Sequence, residues 1–165
     1  MMTDRSNAPR PSLTDPAILL ATWFGAGHMR KAPGTWGSAA ALPFAWVIAA
    51  LGGWPALLAA AVILFPIGCW AANRYMAATG THDPGSVVVD EVVGQWLVLL
   101  VAPQDPLGYL LGFALFRLFD ITKPWPVRLA DRSVGGGFGV MIDDVLAAGY
   151  GLAVLALVQY LRGAL

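Results

Sequence analysis

Apolar positions fall into five long runs, and the charged residues lie between them. No Asp, Glu, Lys or Arg occurs from Ala32 to Asn73, a stretch of 42 positions. Gly52-Gly53-Trp54-Pro55 interrupts that stretch near its middle, a strong turn signal. The pattern predicts two apolar helices, roughly Ser38 to Leu51 and Pro55 to Ala72, folded back as a hairpin. Pro43 and Pro66 are candidate kinks within them. A third run goes from Val92 to Ala102. Val87-Val88-Val89 precede it, so the helix can begin as early as Ser86. Pro103-Gln104-Asp105-Pro106 ends it. The fourth run spans Leu107 to Phe119 and the fifth Val145 to Leu161.

Composition turns five helices into a membrane reading. Hydrophobic residues make up 58% of the 165 and charged residues 12%, about half the charge of an ordinary soluble domain. Mean hydropathy is +0.65. The predicted class is all-α, a compact multi-helix polytopic membrane protein with its apolar excess toward lipid. Several runs fall short of the about 20 residues a lone spanning helix needs. Short tilted spans, helices that continue past the charges, and helices buried in a compact protein all stay open. Residues 1–16, with Asp4, Arg5, Arg10, Asp15 and three prolines, read as a flexible polar tail rather than a signal peptide. That leaves 17–165 as one helical domain. Cys69 stands alone and reads as apolar filler.

The net charge is zero, which excludes a basic field for nucleic acid. The charges are nevertheless ordered. Arg5, Arg10, Arg30 and Lys31 precede the first hairpin and Arg74 follows it. Arg117, Lys123, Arg128 and Arg132 lie between the fourth and fifth runs. The two hairpin tips carry no Lys or Arg, so the positive-inside rule puts the basic segments in the cytoplasm; Arg162 alone argues the other way. His28, His82, Asp83, Asp90, Glu91, Asp120, Asp143 and Asp144 then gather at the same side as Arg117 and Lys123. Acids against apolar helices are costly unless paired or bound to metal.

Four strings carry candidate chemistry. Pro33-Gly34-Thr35-Trp36-Gly37-Ser38 puts glycines and hydroxyls just before an apolar helix, with Arg30 and Lys31 upstream. It reads as a helix-terminal anion site or as a plain capped turn, with Thr35 or Ser38 as cap. Asp90-Glu91-Val92-Val93-Gly94-Gln95 sets two carboxylates beside a valine run. They repel unless a hard cation such as Mg²⁺ lies between them or one is protonated; the plain alternative is a solvated, acid-capped helix start. Gly94, one turn below Asp90, would let another backbone or a ligand come close. In Phe116-Arg117-Leu118-Phe119-Asp120-Ile121-Thr122-Lys123-Pro124-Trp125-Pro126, Arg117, Asp120 and Lys123 recur every third position. On a helix they form a phosphate-binding stripe or an intrahelical ion pair, although Pro124 should end the helix near Lys123. Trp125 reads as an interfacial anchor. Finally, a glycine loop from Gly135 to Gly139 delivers Asp143-Asp144 to the head of the last helix, with no cation at i+3 or i+4. His28 and His82 are acid–base candidates or ordinary polar side chains. There is no Walker A loop, no Cys-x₅-Arg loop, and no phosphoalcohol-transferase spacing.

These strings, in this order, resemble the phosphatidylglycerophosphatase A family from about Trp23 to Gly151. The resemblance implies an all-α fold in the bacterial inner membrane. It implies Mg²⁺-dependent removal of the terminal phosphate of phosphatidylglycerophosphate near the cytoplasmic surface. On that basis Asp90, Glu91, Asp143 and Asp144 are expected to bind Mg²⁺, with Asp120 a further ligand; these five are the catalytic candidates. Lys31, Arg117 and Lys123 are expected to hold the phosphate, helped by Gly34, Thr35 and Ser38. Water or an aspartate can serve as nucleophile. A non-catalytic carrier or scaffold with a structural charge cluster is the rival from another class.

Overall fold

The computed structural model describes residues 11–81 and 84–163. They form six α-helices and, among the described residues, no strand. Helix α1 is Pro16–Ala21, α2 Pro33–Thr79, α3 Val89–Val98, α4 Pro106–Thr122, α5 Val127–Ser133 and α6 Gly136–Leu161. The all-α expectation holds. Residues 1–10 of the expected tail, and His82 and Asp83, lie outside the described residues.

The predicted hairpin is present within α2. Gly53 has φ 66° and ψ −167°, the interior position where the helical backbone breaks. A straight helix would hold residues 34 and 68 about 51 Å apart. Instead Gly34 packs on Glu91 and Gly68 on Val89, two neighbouring residues of α3. The chain therefore turns at Gly53 into limbs 33–52 and 54–79. Pro43 and Pro66 lie inside the limbs without leaving helical backbone angles, so they do not break the helix as a hairpin turn does.

Helix α3 runs alongside the first limb in the same direction. Gly34 meets Glu91, the Trp96 Nε1–H donates to the Ala41 carbonyl at 3.0 Å, and Gln104 Nε2 donates to the Trp46 carbonyl at 2.9 Å. Helix α6 runs the same way, with Asp144 beside Gly94 and Gly151 beside Val98. Helix α4 and the second limb run opposite, since Gly112 packs on Leu99 and Gly68 on Met141. Buried valines of α3 sit at the centre of this bundle: Val89, Val92, Val93 and Val98 are at most 1% exposed. Burying such side chains contributes about 1.5–3 kcal/mol each. The start of α2, α3 and α6 and the end of α4 consequently meet at one end of the molecule.

Three boundaries differ from the expected ones. Helix α2 begins at Pro33, whose fixed φ suits the first helical position, so Gly34 to Ser38 lie within its opening turns. Helix α6 begins at Gly136, well before Val145, and the Asn73 Oδ1 of α2 accepts from the Gly137 N–H at 2.8 Å. Helix α5 falls where only a basic connection was expected. Asp15 caps α1, accepting from the Ala17 N–H at 2.8 Å.

The α2 limbs together and α6 are long and apolar enough to cross a membrane, judged by length and composition. Much of α2's apolar surface faces outward: Leu51 is 85%, Trp54 61%, Val62 61% and Ile63 62% exposed. Patches of that kind mark contact with lipid or protein.

Candidate active site

At the charged end of the bundle lies a cavity of ≈ 560 Å³. Six carboxylates line it, from Asp90, Glu91, Asp120, Asp131, Asp143 and Asp144, against two cations, Lys123 and Arg132. Residues Ser133 to Gly136 close one side.

Asp90 and Glu91 occupy the first turn of α3. Asp144 reaches them from the third turn of α6, because Gly94 has no side chain to hold the helices apart. A Cβ there would overlap the Phe116 ring and stand 3.1 Å from the Asp144 carbonyl oxygen. Carboxylate oxygens of Asp90, Glu91 and Asp144 all lie within 4.8 Å of one another. Asp90 Oδ1, Glu91 Oε2 and Asp144 Oδ2 are buried with no hydrogen-bond partner among the described residues. Three converging carboxylates, each with a buried unsatisfied oxygen, are what a hard divalent cation takes as ligands, so the residues present fit Mg²⁺.

Burial raises the Asp90 carboxyl well above the usual carboxylate range, and the charges of Glu91 and Asp144 push it further. Glu91 is also raised by burial, with Asp90 and Arg117 working against the shift. A cation would reverse that cost by stabilising the ionised forms.

Asp143 is placed differently from its expected role. Its Oδ2 accepts from Lys123 Nζ at 2.6 Å, and Asp131 Oδ1 accepts from the same ammonium at 2.5 Å. It therefore stands outside the converging trio as the counter-ion of Lys123. The cation missing from its own helix comes from the C-cap of α4, twenty positions away in sequence. Burial alone would lower the Lys123 ammonium; the hydrogen bonds and charges of Asp131 and Asp143 outweigh it and raise it above the ordinary lysine value. Lys123 ends the helix in a left-handed conformation at φ 42°, so it is not the third step of a helical stripe.

Arg117 sits behind the wall of the cavity. Its Nη1 lies 2.5 Å from Asp120 Oδ2 and 3.8 Å from Glu91 Oε1, and it does not line the cavity. It ion-pairs with two acids, and its Nε is buried with no hydrogen-bond partner among the described residues. Gly34 makes room for it: a Cβ at Gly34 would overlap Glu91 Oε1 and come 3.0 Å from Arg117 Nη1.

The opening string does not form an anion loop. The Thr35 and Trp36 N–H groups donate to the Ala32 carbonyl at 3.0 and 3.3 Å. Ser38 is fully buried and its hydroxyl donates to the Gly34 carbonyl at 2.9 Å, so it caps nothing. Lys31 is exposed, and neither it nor Thr35 lines the cavity. Asp120 does line it. Two lining residues were missed in the sequence. Asp131 and Arg132 sit on α5, whose seven residues are too few to show a period.

Fold and cavity together define an all-helical, strongly apolar protein with one acidic chamber where its helix ends converge. The chain belongs to the phosphatidylglycerophosphatase A family, whose model matches residues 19–159. It is 42% identical over 160 residues to the phosphatidylglycerophosphatase A of Haemophilus influenzae, covering 96% of this chain and 98% of that one. It is 39% identical over 139 residues to the Escherichia coli protein of the same name, covering 84% and 80%. A Bacteroides thetaiotaomicron protein, provisionally named a phosphatidylinositol-3-phosphatase, is 42% identical over 171 residues, covering 93% and 99%. No solved structure matches the chain significantly.

Proposed function

We propose that this chain hydrolyses the terminal phosphate of phosphatidylglycerophosphate, giving phosphatidylglycerol and phosphate, at the cytoplasmic side of a bacterial inner membrane. The observation that carries the reading is the trio of Asp90, Glu91 and Asp144. These three residues, each with a buried unsatisfied oxygen, line a cavity together with Lys123, in a chain of this family.

Asp90, Glu91 and Asp144 would hold Mg²⁺, which supplies charge neutralisation for phosphate oxygens in an otherwise acidic chamber. Lys123 has three N–H donors. Two are committed to Asp131 and Asp143, which leaves one for a phosphate oxygen. Arg117 holds Glu91 and Asp120 in place. In the reaction the P–O bond to the glycerol headgroup breaks, water oxygen ends on phosphate, and the leaving alkoxide takes a proton. Single turnover in ¹⁸O-water tests the direct-water route: label in an enzyme carboxylate would rule it out.

Several crossings of the bilayer fit the dimensions. Limbs 33–52 and 54–79 are about 30 and 39 Å long, against a hydrocarbon core of about 30 Å. The basic residues cluster at the cavity end, as the positive-inside rule asks of a cytoplasmic face. The lipid tails stay in the bilayer while the headgroup enters the chamber.

The test is phosphate release from phosphatidylglycerophosphate in detergent micelles, with Mg²⁺ and with chelator. Release is expected with Mg²⁺ and its loss with chelator and in folded Asp90→Asn. No release from folded wild type with any divalent metal would put a carrier or scaffold in its place.

A further inference from the structure

A second cavity, of ≈ 490 Å³, shares Lys123 and Arg132 with the acidic chamber. The rest of its wall includes Trp125, Arg128 and Leu129, and no carboxylate lines it. Its electrostatics are the reverse of its neighbour's. Lys123 is matched by two carboxylates, whereas Arg128 and Arg132 have no ion-pair partner among the described residues. Trp125 is 78% and Leu129 55% exposed, an apolar rim beside two unmatched guanidiniums. The segment is fixed from beneath. Val127 is fully buried, and the Tyr150 hydroxyl donates to the Trp125 carbonyl at 2.6 Å.

We propose that this groove holds the phosphodiester of the same lipid whose phosphomonoester is hydrolysed next door. The inference rests on the lipid-phosphatase reading above. Phosphatidylglycerophosphate carries two phosphates one glycerol apart, and the two cavities adjoin, with Lys123 and Arg132 lining both. The diester has a single negative charge spread over two non-bridging oxygens. It would be repelled by the acidic chamber but suits a guanidinium fork. Arg128 and Arg132 take the diester oxygens, while Trp125 and Leu129 meet the glycerol backbone and the first methylenes of the tails, where aromatic side chains favour a membrane interface. Substrate is thereby measured by the distance between its phosphates, and a lipid with only one phosphate loses half of its hold.

The experiment compares wild type with Arg128→Ala and Arg128→Lys, each checked for an unchanged Tm. The ligands are phosphatidylglycerophosphate, phosphatidylglycerol (diester only) and phosphatidic acid (monoester only) in mixed micelles with Mg²⁺. Arg128→Ala should raise KM for phosphatidylglycerophosphate and Kd for phosphatidylglycerol by about tenfold each, the loss of one charge-assisted contact. Arg128→Lys should recover part of both. The kcat, and the constants for phosphatidic acid, should stay within about twofold of wild type. Unchanged KM and Kd in Arg128→Ala, or an equal weakening for phosphatidic acid, would overturn the subsite. Failure of wild type to turn over phosphatidylglycerophosphate sinks the phosphatase reading, while the Arg128 dependence of phosphatidylglycerol binding still reports on the groove.

Discussion

Asp90 concentrates the chemistry of the chamber in one side chain: half-buried, beside two other acids, and with a buried unsatisfied oxygen. Asp90→Asn and Asp144→Asn should each lower Mg²⁺-dependent phosphate release by about a hundredfold or more, measured on protein whose fold is verified by circular dichroism. The raised Asp90 pKa also sets a pH dependence. A carboxyl raised on folding binds its proton more tightly in the folded chain than in the unfolded one. The metal-free protein therefore loses stability as pH rises from the ordinary carboxylate range through the raised value. Cation binding needs the same group ionised, so Mg²⁺ should raise Tm more at about pH 8 than at about pH 5. Gly34→Ala tests the space behind Glu91. The added Cβ displaces a side-chain tip rather than backbone, so activity should fall about tenfold with a Tm shift of no more than about 4 °C.

Elements decided what was legible in the sequence. The Gly53 turn, the end of α4 before Pro124 and the approach of a backbone to Gly94 were all readable, because glycine and proline act locally. The acids Asp90, Glu91 and Asp144 were readable because charge inside an apolar helix has few explanations. The partners were not. Lys123 meets Asp143 only once α4, α5 and α6 are packed, and nothing within four positions of Asp143 signals it. The place of Arg117 behind the cavity wall was not readable, because spacing cannot say which side of a helix faces the chamber. Gly34 to Ser38 looked like a loop because Pro33 starts a helix as readily as it ends one. The α3–α6 contact through Gly94 has its own test. Gly94→Val forces side-chain atoms against Phe116 and the Asp144 carbonyl. It should cost about 1–3 kcal/mol or more, seen as a lowered Tm in detergent together with lost activity.

At the scale of the molecule, most charges at one end and much bare apolar surface elsewhere make the proposed bilayer crossing directly testable. In a Cys69→Ser background, Leu51→Cys at the hairpin tip should react with an impermeant thiol reagent applied outside intact spheroplasts. Ser133→Cys should react only after the membrane is opened. Labelling of both from one side would refute the crossing of α2.

The two hairpins are of unequal height. Gln104, at the turn between α3 and α4, bonds to Trp46, seven positions short of Gly53, so the α2 tip rises about 10 Å beyond it. With α2 crossing the bilayer as proposed, this would make a wedge: one side would span the full thickness while the other would leave a notch at the face opposite the chamber. Lipids beside the short hairpin would have to thin or tilt, a hydrophobic mismatch that thinner membranes relieve. Reconstitution in bilayers of graded acyl length should then show turnover rising as the bilayer thins, with thickness acting as a mechanical control on headgroup chemistry at the opposite face.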